Sequence, residues 1–152
     1  MKIISGGQTG ADKGGLLGAR DLGIETGGFA PKGFRTELGN DPSLADFGLI
    51  ETESYQYPIR TRKNVEISDM TLWFGRTGSP GYICTVNACF LKGRGFYIID
   101  PRIQSDIYSA AGFVARYRPR AQIFNIAGNR ESTNPGIEQA VREAVRQIFL
   151  GM

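Results

Sequence analysis

The chain has 152 residues, 41% of them hydrophobic and 22% charged, with a formal net charge of +3 and no histidine. That length suits one domain, which buries roughly 68–70% of the surface its unfolded chain would expose; the mild positive balance favours a small anionic ligand and is too weak for a nucleic-acid surface. The missing histidine removes the commonest general base and metal ligand, and no run of about 18 apolar residues offers a signal peptide or membrane span.

Apolar strand-like runs alternate with helical patterns throughout, which predicts a single Rossmann-like α/β domain over 1–152. Its form is a three-layer sandwich, a mostly parallel sheet with helices on both faces. A short strand at Lys2–Ile4 runs into Ser5-Gly6-Gly7-Gln8-Thr9-Gly10 and a helix from Ala11 to about Leu22, whose small Gly15 and Ala19 allow close packing. A strand near Ile24–Phe29 follows, then a polar stretch from Pro31 to Pro42 that reads as a functional loop or lid. Another extended piece lies within Leu44–Glu51. Thr61 is expected to cap a short helix ending near Ser68, ahead of the apolar strand Met70–Phe74. After a flexible loop at Gly75–Gly81, Ile83, Val86 and Phe90 mark the face of a helix that ends at Gly93, a position suited to a left-handed C-cap. Cys84 and Cys89 lie in this helix on different faces, so a mutual disulfide is not expected and a reducing, cytoplasmic setting is. Strand Phe96–Ile99, a helix with the stripe Ile107, Ala110, Ala111, Val114 and Tyr117, and strand Gln122–Ile126 come next. In the last helix Asn134 is the expected N-cap, Pro135 the first helical residue, and Ile137, Ala140, Val141, Ala144, Val145, Ile148 and Phe149 a core stripe.

In an open α/β sheet, ligands gather at the carboxyl ends of the strands, so the loops there are the candidates. Ser5-Gly6-Gly7-Gln8-Thr9-Gly10 joins a strand to a helix; glycine-freed amides and the helix dipole suit phosphate, with a tight turn as the plain alternative. It is neither a Walker A loop nor a G-x-G-x-x-G fingerprint. Asp12, in the first turn beyond, serves either the dipole or a ligand. Gly75–Gly81, with Gly78, Ser79, Gly81 and Thr85 as candidate contacts, is as readily a bland loop as a second anion site. Asn129 and Arg130 form a third candidate, the guanidinium offering a planar fork of donors. Lys32, Arg35, Arg60 and Asn64 add polar and cationic groups near strand ends, positions that surface decoration also explains.

Ser5-Gly6-Gly7-Gln8-Thr9-Gly10-Ala11-Asp12, Pro31-Lys32-Gly33, Arg60-Thr61 with Asn64-Val65 and Ser68-Asp69, and Asn125-Ile126-Ala127-Gly128-Asn129-Arg130-Glu131-Ser132, taken in order along nearly the whole chain, resemble the molybdenum cofactor carrier family. The resemblance implies a Rossmann-like fold related to LOG-type, lysine-decarboxylase-like proteins. It also implies a homo-oligomer, a dimer or tetramer, and binding of molybdenum cofactor (molybdopterin) as a carried ligand; the charge balance and the lack of a long apolar run lead to no expectation of a nucleic-acid or membrane partner. The segment Gly78–Thr85 departs from the compact Gly-Gly-Thr turn expected of that family. LOG-type phosphoribohydrolases carry Pro-Gly-Gly-x-Gly-Thr-x-x-Glu, whereas here Thr85 is followed by Val86, Asn87 and Ala88; no catalytic residue is assigned, and a carrier ranks above a nucleotide binder and an enzyme. A metal-ligating set is not expected.

Overall fold

The computed structural model describes residues 1–152. Its strands are β1 (Lys2–Ile4), β2 (Glu25–Ala30), the two-residue β3 (Arg35–Thr36) and β4 (Gly39–Asn40), β5 (Leu49–Glu51), β6 (Met70–Phe74), β7 (Gly95–Ile99) and β8 (Ile123–Gly128). The helices are α1 (Ala11–Asp21), α2 (Tyr57–Ile67), α3 (Pro80–Lys92), α4 (Gln104–Tyr117) and α5 (Ile137–Phe149). Six strands form one sheet in the order β5-β2-β1-β8-β6-β7, every pair parallel. Helices α1, α4 and α5 pack together on one face and α2 with α3 on the other, giving the Rossmann-like α/β sandwich read from the sequence. Because the sheet is parallel, the carboxyl ends of β1, β6 and β8 open on one rim, where chain order reverses across β1 and β8.

Strand β6 is buried at all its residues, as a central strand covered on both faces must be. The main core joins it to α1, α4 and α5 through Leu72, Phe74, Phe124, Ile126, Val141 and Phe149. Each such side chain contributes about 1.5–3 kcal/mol by leaving water. Helix α1 lies against α5 because Gly14 and Gly18 face it. A methyl at Gly14 would fall inside contact distance of the Glu138 carbonyl oxygen, and one at Gly18 would meet the Arg142 oxygen at 2.7 Å.

Several boundaries differ from the sequence expectation. Helix α2 begins at Tyr57 with Pro58 in its first turn, so Thr61 lies inside the helix instead of capping it. Helix α3 begins at Pro80, and Ser79 is its N-cap, accepting from the Tyr82 amide at 3.1 Å. Its buried face is Thr85, Ala88 and Cys89, while Ile83 and Phe90 are exposed, so the predicted stripe is rotated. Thr85 is neutralised for burial by donating to the Gly81 carbonyl oxygen at 2.8 Å, which periodicity of apolar residues cannot reveal. Gly93 does close α3 in the left-handed conformation. Gly136 precedes α5, and Asn134 instead accepts from Arg102 and donates to Asn129. Tertiary partners displaced it from the capping role. Tyr117 of the α4 stripe is 40% exposed. The Pro31–Pro42 stretch is a small antiparallel hairpin, β3 with β4, between two 3-10 turns.

Candidate functional site

A cleft of about 430 Å³ opens on the carboxyl rim, lined by Gln8 and Asp12 after β1, by Trp73 and Ser79 around the end of β6, and by Ala127 and Gly128 at the end of β8 with Asn129, Arg130 and Thr133 beyond it. The first turns of α2 and α3 complete it with Tyr57, Arg60, Thr61, Gly81 and Thr85. Its size lies in the usual range for small-molecule sites, roughly 300–1,000 Å³.

The Gly-rich loop is organised around a carboxylate of its own. Ser5, fully buried, donates its hydroxyl to the Asp12 carbonyl oxygen at 3.0 Å and accepts from the Gly7 amide at 3.3 Å. The Gln8 amide donates to Asp12 Oδ2 at 3.2 Å, and the Thr9 amide donates to Gln8 Oε1 at 3.0 Å. Much of the hydrogen bonding that an open anion cradle would offer is therefore spent inside the turn. Burial pushes the Asp12 carboxyl above its ordinary range, against the opposing pull of Arg60, whose Nη1 is 3.7 Å from Oδ2. Gly6 lies directly beneath the Arg60 guanidinium, while Gly7, left-handed at φ 74°, faces the side chains of Leu44 and Leu49 away from the cleft. Gly10 is pressed against the backbone of Asn129 to Glu131.

Beside the cleft, the hairpin is tied down through Glu37. Its carboxylate accepts from the Thr9 and Ser132 hydroxyls and from the Ser132 amide, and its own amide donates to Gln8 Oε1 at 2.9 Å. Burial raises the Glu37 pKa, but these hydrogen bonds together outweigh it and hold the group below its ordinary value. Thr9 thus serves the hairpin and lines a second hollow instead of the cleft.

Three cations gather around Tyr57, with Arg60 and Arg130 in the cleft lining and Arg35 outside it. Arg130 and Arg35 each sit 4.8 Å from the centre of the Tyr57 ring, and Arg60 lies 5.6 Å from it. Only Arg60 has a carboxylate within ion-pair reach; Arg35 donates to the Tyr55 carbonyl oxygen at 3.0 Å, and Arg130 makes neither an ion pair nor a side-chain hydrogen bond. Trp73, only 2% exposed, is anchored by its indole N–H donating to the Arg76 carbonyl oxygen at 3.2 Å and by edge contact with Tyr82 at 5.3 Å. Two nitrogens of cleft residues, Gln8 Nε2 and Arg60 Nε, are buried with no hydrogen-bond partner.

Of the residues singled out in the sequence, Gln8, Asp12, Arg60, Ser79, Gly81, Thr85, Asn129 and Arg130 line the cleft. Asn129 is engaged structurally as well, accepting from the Arg76 amide at 2.7 Å and donating to the Arg76 carbonyl oxygen at 3.0 Å. Asn64 lies outside, where its side-chain amide pairs with Phe29 N and O at 2.8 and 3.0 Å near the carboxyl end of β2. Lys32 stands over Tyr55, and Gly78 lies beyond the lining. Tyr57 and Trp73 were not singled out; the Tyr57-Pro58 pair opening a helix was the available signal for the first, whereas Trp73 reads simply as strand core.

Residues 3–149 match the circularly permutated YpsA SLOG family. The chain belongs to that family. This SLOG protein is also similar to a crystal structure at 1.45 Å resolution of the protein named "Putative molybdenum carrier protein" from Syntrophus aciditrophicus SB, with 36% sequence identity and a TM-score of 0.85. The match covers 98% of this chain and 94% of that one, so the sheet and both helical layers are shared. None of the curated proteins matches the SLOG protein. No helix is long and apolar enough to cross a membrane.

Proposed function

We propose that this SLOG protein is a carrier that holds a phosphate-bearing anionic small molecule in the rim cleft, with molybdenum cofactor as its cargo. The observation that carries the reading is the convergence of Arg35, Arg60 and Arg130 on Tyr57, three guanidinium groups served by a single carboxylate within ion-pair reach. Such a cluster repels itself unless an anion joins it, and guanidinium forks pair with phosphate oxygens in two-point fashion. The half-buried Tyr57 gives a flat ring one aromatic surface, and the name of the Syntrophus protein agrees. The reading is of binding without turnover, since no histidine is present and Thr85-Val86-Asn87-Ala88 lacks the LOG-type glutamate. A homo-oligomer and a cytoplasmic setting belong to the same proposal, with exposed Phe90 and Leu91 on α3 and the unpaired Cys84 and Cys89 as their respective support.

Anaerobic thermal shift against molybdenum cofactor tests it. A ligand at about a hundred times its dissociation constant adds about 2.7 kcal/mol, and each kcal/mol moves the melting point of a domain this size by roughly 2–4 °C. Arg130→Ala should leave the melting point of the free protein within about 1–2 °C and weaken cofactor binding roughly 10–150-fold, the worth of one charged hydrogen bond of about 1.5–3 kcal/mol. Unchanged affinity in the variant removes Arg130 from the site. A nucleotide binder is the second reading, favoured by the same Tyr57 ring and its arginines, and a shift with purine monophosphates but not with the cofactor selects it.

A further inference from the structure

The floor of the cleft sets an acceptor beside two unspent donors. Asp12, 4% exposed, supplies carboxylate oxygens, and the neighbouring Gln8, also 4% exposed, is locked in one orientation. The reason is that Gln8 Oε1 takes two backbone amides, those of Thr9 at 3.0 Å and Glu37 at 2.9 Å. Its Nε2 must then be the free end, and that nitrogen has no acceptor. Arg60 spends Nη1 on Thr61 Oγ1 at 3.1 Å, and its Nε is likewise buried and unpaired. Buried donors left without partners cost about 1–3 kcal/mol each, so two of them at one cleft point to a ligand that supplies acceptors. The Asp12 carboxylate already accepts from the Gln8 amide at 3.2 Å, and its remaining lone pairs can take further N–H donors.

The complement of this set is a flat ring edge that carries N–H and amino donors next to a carbonyl oxygen, lying beside the Tyr57 ring. We propose that Asp12, Gln8 and Arg60 read the hydrogen-bonding edge of a 2-amino-4-oxopyrimidine ring, the edge that guanine and pterins share. Asp12 accepts from the ring N–H and the exocyclic amine, while Gln8 Nε2 and Arg60 Nε donate to the carbonyl oxygen. Adenine presents its amine where this edge needs a carbonyl, and hypoxanthine lacks the amine that Asp12 would bind. The backbone amide of Glu37 fixes the Gln8 carboxamide in this orientation. The inference rests on the reading of the cleft as the cargo site and adds to it which part of the cargo is recognised.

Calorimetric titration of the full chain with GMP, IMP, AMP and neopterin monophosphate tests it. The expected order places GMP and neopterin monophosphate at least about tenfold tighter than IMP, one charged hydrogen bond being worth that much, with AMP weakest. Whichever of GMP and neopterin monophosphate binds tighter identifies the source of the ring. In Asp12→Asn the ratio of GMP to IMP affinity should fall towards one; the wild-type series remains decisive even if that variant does not fold. Equal affinities for GMP, IMP and AMP overturn the edge reading and leave the anion-binding cleft in place. Heat from none of the four overturns the edge reading as well, and the carrier reading falls with it only if the molybdenum cofactor shift is also absent.

Discussion

Changing Gly6 to alanine separates the role of the Gly-rich loop from that of the arginine lying on it. Gly6 has no left-handed backbone, so alanine adopts its conformation without strain. The added methyl would sit 2.5 Å from Arg60 Cζ and 2.6 Å from Nε, far inside van der Waals contact. The atoms it meets end a long flexible side chain, so the guanidinium swings away and the backbone stays. Stability then loses the Arg60–Asp12 contact at 3.7 Å, in which the arginine side chain is only 12% exposed. That places its worth above the roughly 0–1 kcal/mol of a surface pair and below the gross attraction of about 4 kcal/mol at such a distance. A loss of about 1–2 kcal/mol lowers the melting point by roughly 2–8 °C. Cofactor affinity falls further, by roughly 10–150-fold, as the charged hydrogen bond from Arg60 is removed. Gly7→Ala behaves in the opposite way. There the left-handed φ of 74° and contacts at 2.7 and 2.8 Å to Leu44 and Leu49 strain the fold, while the cleft is untouched. Its stability loss is about 2–5 kcal/mol, the sum of backbone strain and overpacking. Calorimetric melts and cofactor titrations on the pair are the assay. Wild-type affinity in a folded Gly6→Ala protein refutes the placement of Arg60 over a bound ligand.

Two glycines in helices should respond in opposite directions. Gly14→Ala places a methyl against the Glu138 backbone oxygen and 3.1 Å from Val141 Cβ, where overpacking of about 1–3 kcal/mol exceeds a helix-propensity gain of about 1 kcal/mol. Gly112→Ala, in α4 with no neighbour within 4 Å, should stabilise by about 0.5–1 kcal/mol; melting curves of both variants give the signs directly. The raised Asp12 pKa makes a pH-dependent contribution that is fully present below its ordinary value of 3.8 and is lost as pH rises through the folded value. Asp12→Asn should therefore remove this part of the fall in stability between about pH 3 and pH 7, read from melting curves across that range. The lowered Asp21, held first by its hydrogen bonds from Arg142 at 2.7 and 2.8 Å, contributes above its ordinary pKa and is lost as pH falls through the folded value. Asp21→Asn should flatten the acid side of the stability profile, and an unchanged profile assigns acid unfolding to other carboxylates.

The sequence by itself determined the alternation of strands and helices, the parallel sheet with two helical layers, the buried stripe of α5 and the Gly93 cap, because periodicity and turn chemistry are written within a few neighbouring residues. It also brought Gln8, Asp12, Arg60, Asn129 and Arg130 forward, since loops after parallel strands share one rim. Only the tertiary structure decided which of those residues face the cleft. Gly7 looks like part of a phosphate cradle until Leu44 and Leu49 are seen beneath it. Asn64 reads as a ligand contact until its amide is found paired with the backbone of β2. Tyr57 gains meaning only when Arg35, Arg60 and Arg130, from the hairpin, α2 and the loop after β8, meet around its ring. The order β5-β2-β1-β8-β6-β7 makes that meeting possible, and it arises from long-range packing that no local pattern in the chain encodes.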